Sequence, residues 1–387
     1  MKEFNIIFFV SNLAIAVLNG VLMPLFPILT RKSFLFGVKI PAEQQGCSEA
    51  KAMKKNYNTI CLSGTVVLIM LIIIQYIFIP DFTLTALMYF PFLCIVVLMA
   101  AYIPNWKKAV KLKEEREWKV SATVFADTKS SHSRGNLSEL PWGWYIFSIV
   151  LIIASLIIAF IQYPGLPDKI PTHFDANMQP NVWSDKSLSA VLMMPLINIS
   201  TFLILWFTGF MFVRARYQID QQNPELSFTQ HRIYRRRLGH SIGFLTAGLT
   251  IMMAFNGLMT IFPNLYVPFW SILALLFIST VPLLIVATIS GQGGCRIKPK
   301  GIAIGSAYAQ NGLDVSNVLP GRGDDKYWAL GMFYHNPDDP AYLVESRFGN
   351  KLGFNYSRLP VKIGVIILVI GLILFYAWIP FALFPGL

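Results

Sequence analysis

Eight apolar stretches, each long enough to cross a bilayer, restrict this 387-residue chain more than anything else in it. They fall at roughly 4–26, 58–79, 82–103, 142–163, 188–213, 239–262, 267–290 and 361–383. A crossing helix needs about 20 mostly apolar residues to span the hydrocarbon layer. Inside that layer every backbone polar group must find a partner in the protein, and a helix does this within one segment. The expected fold class is therefore an all-α integral membrane protein, with about eight transmembrane helices and a small β-rich segment beyond the bilayer. Charged residues make up 13% of the chain, against about a quarter in a soluble domain. The first stretch lacks a basic leader region and a clear small-residue cleavage site, so a retained first span is expected rather than a removed signal.

Orientation follows from where the basic residues lie. Loop 31–57 holds six (Arg31, Lys32, Lys39, Lys51, Lys54, Lys55), loop 104–141 eight, loop 214–238 six and segment 291–360 eight. The other side carries only Lys2, Lys169 and Lys186. Cytoplasmic loops carry the Lys/Arg excess. The expected arrangement is a multi-pass protein of the cell membrane, both termini outside, with loops 31–57, 104–141, 214–238 and 291–360 cytoplasmic. The net charge of +12 is explained by this placement, so the bilayer is the expected partner and nucleic acid is not.

The same reading divides the chain into a three-span region at 1–103, a basic linker at 104–141 and a two-span region at 142–213. A basic loop with two further spans follows at 214–290, then a small cytoplasmic domain at 291–360 and a final span at 361–387. Pro80-Asp81 and Pro263 to Pro268 mark tight connections. Residues 104–125 begin as a helix leaving the membrane, and 126–140 read as a flexible link. Gly291 to Gly294 reads as a hinge, Ile297, Ile302 and Ile304 as short strands, and the aromatic run before the Asn336–Pro340 turn as a β-hairpin. Arg235-Arg236-Arg237 is expected to meet lipid phosphates. Gly239, Gly243 and Ala247, and Gly364 with Gly371, have the spacing that lets helices approach closely. The four cysteines show no zinc spacing and lie in a reducing context or in spans, so no disulfide is expected.

One outer segment stands apart: Tyr163 to Ser187, YPGLPDKIPTHFDANMQPNVWSDKS. Four prolines prevent a continuous helix, so an extended, partly rigid loop is expected. In extended backbone His173 and Asp175 point to one side. Asp168, His173, Asp175 and Asp185 could gather on a divalent cation. The favoured reading has no metal and no cofactor: the loop is a cap or partner-binding surface, with His173 and Asp175 bonding backbone groups left free by the prolines. Trp183 reads as an interfacial anchor or as a platform for a peptide. The spans hold few polar residues, among them Asn12, Asn19, Asn198 and Asn256, read as bonds between helices rather than an ion path. No zinc-protease, hydrolase or phosphate-loop motif is present, and no catalytic residue is assigned.

The run LPDKIPTHFDANMQPNVWSDKS resembles the signature loop of a family of bacterial multi-pass membrane proteins of unknown function, grouped with SdpI-type immunity proteins. That family has Gly in the turn after HFD, where this chain has Met178, so Asn177 is expected to take the left-handed position. Residues 324–356 resemble a small cytoplasmic domain, also of unknown function, found on proteins of the same group. Within it Asp324, Trp328, Asn336, Asp338 and Arg347 are expected to shape the fold. Phe36-Gly-Val-Lys-Ile-Pro41 is similar to a short element of SdpI-like proteins and is too short to carry weight. The resemblance implies immunity to, or sensing of, an extracellular toxin peptide or envelope-active agent. Asp168, His173, Asp175 and Trp183 would meet that agent, and a regulatory protein would be the cytoplasmic partner. A permease or lipid-handling protein is the alternative, and a membrane-embedded enzyme the third.

Overall fold

The structure is a computed structural model that describes residues 2–120, 125–126, 140–175, 177–214, 218–219, 224–265, 267–299, 321–349 and 352–383. Its internal contacts define two units. The first comprises Met1–Ala126, Tyr217–Gln222 and Ala307–Leu387, and the second Asp127–Arg216 and Asn223–Ser306.

In the first unit, α1 (Lys2–Leu22) packs against α3 (Ser48–Phe78) and α4 (Thr83–Glu115). A 3-10 turn leads from α1 into the short α2 (Phe26–Leu29). Pro80 opens the turn between α3 and α4, where its missing N–H and fixed φ cost nothing. Two features bring the helices together. Gly20 leaves room for Thr65, whose Cγ2 would lie 2.5 Å from an added Cβ. Asn12 Nδ2 donates across to Thr83 O at 3.1 Å, as expected of a polar residue inside a bundle. Asn19 instead bonds Ile15 O of its own helix. Helix α4 continues as helix to Glu115, well past its apolar stretch.

In the second unit, α7 (Pro224–Ile261) is central and touches α5 (Trp142–Gln162), α6 (Leu188–Arg214) and α8 (Phe269–Ser290). Small residues again set the approach: a Cβ on Gly243 would meet Trp144 Cδ1 at 2.9 Å, and one on Gly248 would meet Ser279 Cβ at 2.5 Å. Asn198 Nδ2 donates to Thr250 O from α6 to α7.

Several expectations need correction here. The basic loop expected over 214–238 is helical from Pro224, with proline at the helix start. Its arginine run divides: Arg235 is buried, while Arg236 and Arg237 are exposed. The expected hinge at Gly291–Gly294 is a packed corner. Gly294 has φ +84, and a Cβ there would lie 2.7 Å from Gln230 O. Gln230 Nε2 also donates to Ile297 O at 2.8 Å. Gly364 and Gly371 have no neighbouring atom within 4 Å of an added Cβ, so the close packing expected of them is absent among the described residues. The strands expected at Ile302 and Ile304, and most of the 126–140 link, lie outside the described residues.

Seven of the described helical segments are long and apolar enough to cross a membrane. The eighth expected span is α9 (Leu359–Leu383), of which Leu359–Leu374 forms a shorter apolar stretch. The helix exteriors carry bare apolar side chains such as Phe277, Ile161 and Ile77, which are about two-thirds exposed. A water-soluble monomer does not show such continuous apolar surface, and lipid is its natural cover. This is an all-α, multi-pass membrane protein with small strand pairs.

Candidate functional site

Two polar places are built on these helices. In the second unit, the segment between α5 and α6 is a β-hairpin. A 3-10 turn at Tyr163–Gly165 ends the helical run, and strand Lys169–Phe174 then pairs antiparallel with Pro180–Asp185. The register joins Ile170 to Ser184 and Pro171 to Trp183, then shifts on either side of His173. Proline cannot donate to a ladder, which accounts for a two-stranded ribbon with irregular pairing. The extended, partly rigid loop expected from the sequence is a paired ribbon of two strands. Leu166 and Ile170 anchor the ribbon by burying against Ala159, Val191 and Ile261. Lys186 closes its base: Nζ donates to Pro164 O at 3.0 Å and to Leu166 O at 2.9 Å, and stands 5.3 Å from the Tyr163 ring centroid.

The tip is organised by Asp175. Its Oδ1 accepts from Asn177 N at 2.9 Å and from Gln179 N at 2.7 Å. Met178 itself takes the left-handed conformation, φ 60, with its side chain buried. The expectation for Asn177 is thus corrected: burial of the thioether holds a residue that lacks glycine's freedom in that conformation. His173 and Asp175 do not converge. His173 Nδ1 lies 2.6 Å from Asn181 Oδ1, and Asp175 faces backbone amides. Thr172 and Ser184 share a hydrogen bond of 3.1 Å. Asp168 is exposed, with its carbonyl accepting from Lys186 N. Among the described residues no three metal-ligating side chains come together. His173, Asn181, Val182 and Trp183 remain exposed, Trp183 about half so.

The other polar place, in the first unit, is a module centred on Arg347. Its side chain is fully buried. Nη2 donates to Arg322 O at 2.8 Å, Nη1 donates to Gly37 O at 3.3 Å and to Asp325 Oδ1, and the guanidinium stands 4.6 Å from the Trp328 ring centroid. Burial lowers its pKa to about 10, with Asp325 opposing the fall. It therefore stays charged at neutral pH, and Asp325 also receives Lys113 Nζ at 2.6 Å.

Around it runs a network of buried polar groups. Arg322 donates through Nε and Nη2 to the two oxygens of Asp339 at 2.6 and 3.3 Å. Tyr334 Oη donates to Asp339 and accepts from Asn336 Nδ2, both at 3.1 Å. Trp328 Nε1 donates to Arg322 O, and Asn355 Nδ2 reaches the carbonyls of Asn336 and Asp339. Burial pushes the Asp339 pKa up, and the Arg322 pair, the Ala341 N–H and the Tyr334 hydroxyl together hold it below the ordinary value.

The strand pairs of this module are Trp328–Ala329 with Phe333–Tyr334, and Leu343–Glu345 with Leu352–Phe354. The first pair turns through Leu330 (φ 53) and Gly331 (φ 69). The hairpin turn is therefore at Leu330-Gly331, not at Asn336–Pro340 as the sequence suggested.

Of the residues expected to shape this module, Trp328, Asn336 and Arg347 are buried in the network. Asp324 caps a short turn by accepting from Lys326 N. Asp338 is exposed and contributes only its backbone N–H, to Asn336 Oδ1; its neighbour Asp339 is the buried acid. Arg322 sits in the run Gly321-Arg-Gly-Asp324, which is too short to carry meaning in the sequence.

It also set aside Phe36 to Pro41. That element is a two-residue-strand hairpin, Phe34–Leu35 with Val38–Lys39, and it sits at the heart of the module. Phe36, Tyr57, Tyr102 and Phe348 pack ring on ring, with centroids 4.6–6.2 Å apart. The Tyr102 hydroxyl lies 2.9 Å from both Phe36 O and Leu330 O. Gly37 (φ +76) has no room for a side chain, since a Cβ would lie 2.3 Å from Gly331 O. Arg31 Nη2 pairs with buried Glu345 at 2.9 Å, and Gly349 N donates to Thr30 Oγ1 at 2.8 Å.

The fold and these sites define a helical membrane protein that carries an exposed hairpin between two spans and a buried polar network. A family model described as a domain of unknown function, DUF1648, matches residues 150–199. The matched stretch contains the whole hairpin, with parts of α5 and α6 on either side. Comparison with curated proteins and with solved structures returns no significant match.

Proposed function

We propose that this is a bacterial cell-membrane protein of the SdpI-like group. In this reading it protects the cell against, or senses, a peptide or envelope-active agent outside. The hairpin is the outer face, with His173, Asp175 and Trp183 at the contact and Asp168 beside them. Segment 321–358 is the cytoplasmic module, corresponding to the small appended domain that the sequence resembles, and a regulatory protein is its expected partner. The observation that carries the reading is the half-exposed Trp183 on a braced ribbon. A rigid aromatic gives a peptide contact area at little entropic cost. The lysine and arginine excess in the other loops supports the outward placement.

The test is survival. Cells lacking the gene are challenged with secretions of competing strains and complemented with wild type, Trp183→Ala or His173→Ala at equal membrane abundance. The proposal expects wild type to restore resistance and Trp183→Ala to fail. If no agent changes survival while uptake of a solute does, the permease reading replaces it.

A further inference from the structure

The first unit contains a cavity of about 610 Å3 that the hairpin reading does not use. One wall is the end of α4 and the turn after it, through Trp106, Lys113 and Trp118. Another is the Arg347 module, through Asp325, Trp328 and Arg347. A volume of this size suits a small organic molecule, for which pockets run to about 300–1,000 Å3.

The charges lining it do not balance in its depth. Arg347 is fully buried and Lys113 about three-quarters buried, and both are spent on the single carboxylate of Asp325. Lys39 lies behind this wall, not on it, and its backbone N–H donates to the same carboxylate. Burial lowers the Lys39 pKa to about 8; Arg347 and Lys113 push it the same way, and Asp325 alone opposes. In the depth of the cavity two lining cations therefore face one anion, and the nearby Lys39 charge adds to their field. Glu114, Glu117 and Lys119 also line the cavity, but they are exposed, where water and salt screen them. Arg347 Nε is buried with no hydrogen-bond partner among the described residues. Metal cations are disfavoured by this charge. Three tryptophans supply apolar wall, and Arg347 already stacks on one of them.

We propose that this cavity binds an organic phosphate, with the phosphate toward Lys113 and Arg347 and an apolar body against Trp106 and Trp118. Lysine and arginine bonds to phosphate are charge-assisted and about twice as strong as neutral ones. The phosphate can come from an anionic lipid headgroup or from a soluble phosphate ester. The inference is independent of the hairpin reading.

The full chain, purified in a neutral detergent, is titrated with dihexanoyl phosphatidic acid, phenyl phosphate, inorganic phosphate and zwitterionic dihexanoyl phosphatidylcholine, with tryptophan fluorescence and native mass spectrometry as readouts. Saturable one-to-one binding of phosphatidic acid or phenyl phosphate is expected, and whichever binds tighter identifies the source. Lys113→Gln is expected to weaken it about tenfold, and Lys113→Arg to retain it within about threefold. Trp118→Ala, in the partly buried segment after α4 and outside the hydrogen bonds of the Arg347 network, provides a second variant that should also weaken binding. Raising salt from about 0.05 to about 0.3 M should weaken binding further. Failure of both organic probes to saturate overturns the proposal. So does binding unchanged in both Lys113→Gln and Trp118→Ala, or phosphatidylcholine and inorganic phosphate binding as tightly as the other two.

Discussion

The hairpin at 163–187 and the module around Arg347 are built from the same material, short strands rich in proline, glycine and aspartate, and they use it in opposite ways. The hairpin's bonds are local: Asp175 reaches residues two and four ahead, and His173 one eight ahead. Beyond the anchoring Leu166, Ile170 and Met178, it leaves His173, Asn181, Val182 and Trp183 exposed. The module's bonds are long-range, joining Gly349 to Thr30 and Arg347 to Gly37, and its polar groups face inward. A locally tied ribbon can lose a side chain and remain a ribbon. A buried network of charges cannot, because each partner left behind is an uncompensated polar group. The first is suited to presenting a variable contact surface, the second to holding distant segments in one arrangement.

The sharpest way to break this contrast is Arg347→Met. It removes the Arg347 donor from Gly37 O, leaves Arg322 O with Trp328 Nε1 alone of its two side-chain donors, and removes one of the two cations on Asp325. A loss of about 3–5 kcal/mol is expected, the usual cost of removing one member of a buried ion pair. Limited proteolysis should then cut within 321–358 while the hairpin stays intact. Gly37→Ala comes next. Positive φ costs about 1–3 kcal/mol for a residue with a side chain, and the new methyl would strike Gly331 O. Lower thermal stability of the first unit is the expected result, and a neutral outcome would show that the aromatic cluster does not need the Phe36-Gly37 turn.

On the hairpin the effects should be smaller in stability and larger in function. Asp175→Ala removes the acceptor of two backbone amides in an exposed turn, at about 1 kcal/mol. Trp183→Ala should stay within about 0.5 kcal/mol, as exposed substitutions do, yet abolish protection. If Trp183→Ala unfolds the protein instead, the ribbon is structural and the contrast fails.

The smallest effect is one of pH. Lys39 has a pKa of about 8 when folded against an ordinary 10.5. Between these values the unfolded chain holds the extra proton, so stability should rise as pH climbs from about 8 toward 10.5 and be insensitive to this group below 8. Subtracting the melting profile of Lys39→Met from that of the wild type isolates the slope.

The two regions also differ in how far the sequence announced them. The spans were legible because about 20 apolar residues in a row have few alternatives to a membrane helix. The hairpin was legible as a segment, since four prolines exclude a helix. Its internal bonding was not, because the cross-strand register that brings Asn181 to His173, and the turn that aims Asp175 at backbone amides, are set by the fold. The Arg347 module was legible only in its continuous part, 324–356. Its other half, Phe36–Gly37 and Tyr102, comes from segments hundreds of residues away, and six residues with one glycine give no sign that an arginine will dock on their carbonyl. Asp338 and Asp339 are adjacent acids, and only the fold reveals which one faces Arg322. The helical start of α7 was hidden by its charges, because a basic stretch next to a span reads as loop until the face that buries Arg235 is seen.

The proposed function has the hairpin outside the cell and the Arg347 module in the cytoplasm. With the four native cysteines replaced by alanine, Pro167→Cys and His335→Cys, both at exposed positions, are treated in intact cells with a thiol reagent that cannot cross the bilayer. Labelling of Pro167→Cys in intact cells, with His335→Cys labelled only after lysis, is the predicted result. Labelling of His335→Cys in intact cells, with Pro167→Cys protected until lysis, would contradict it.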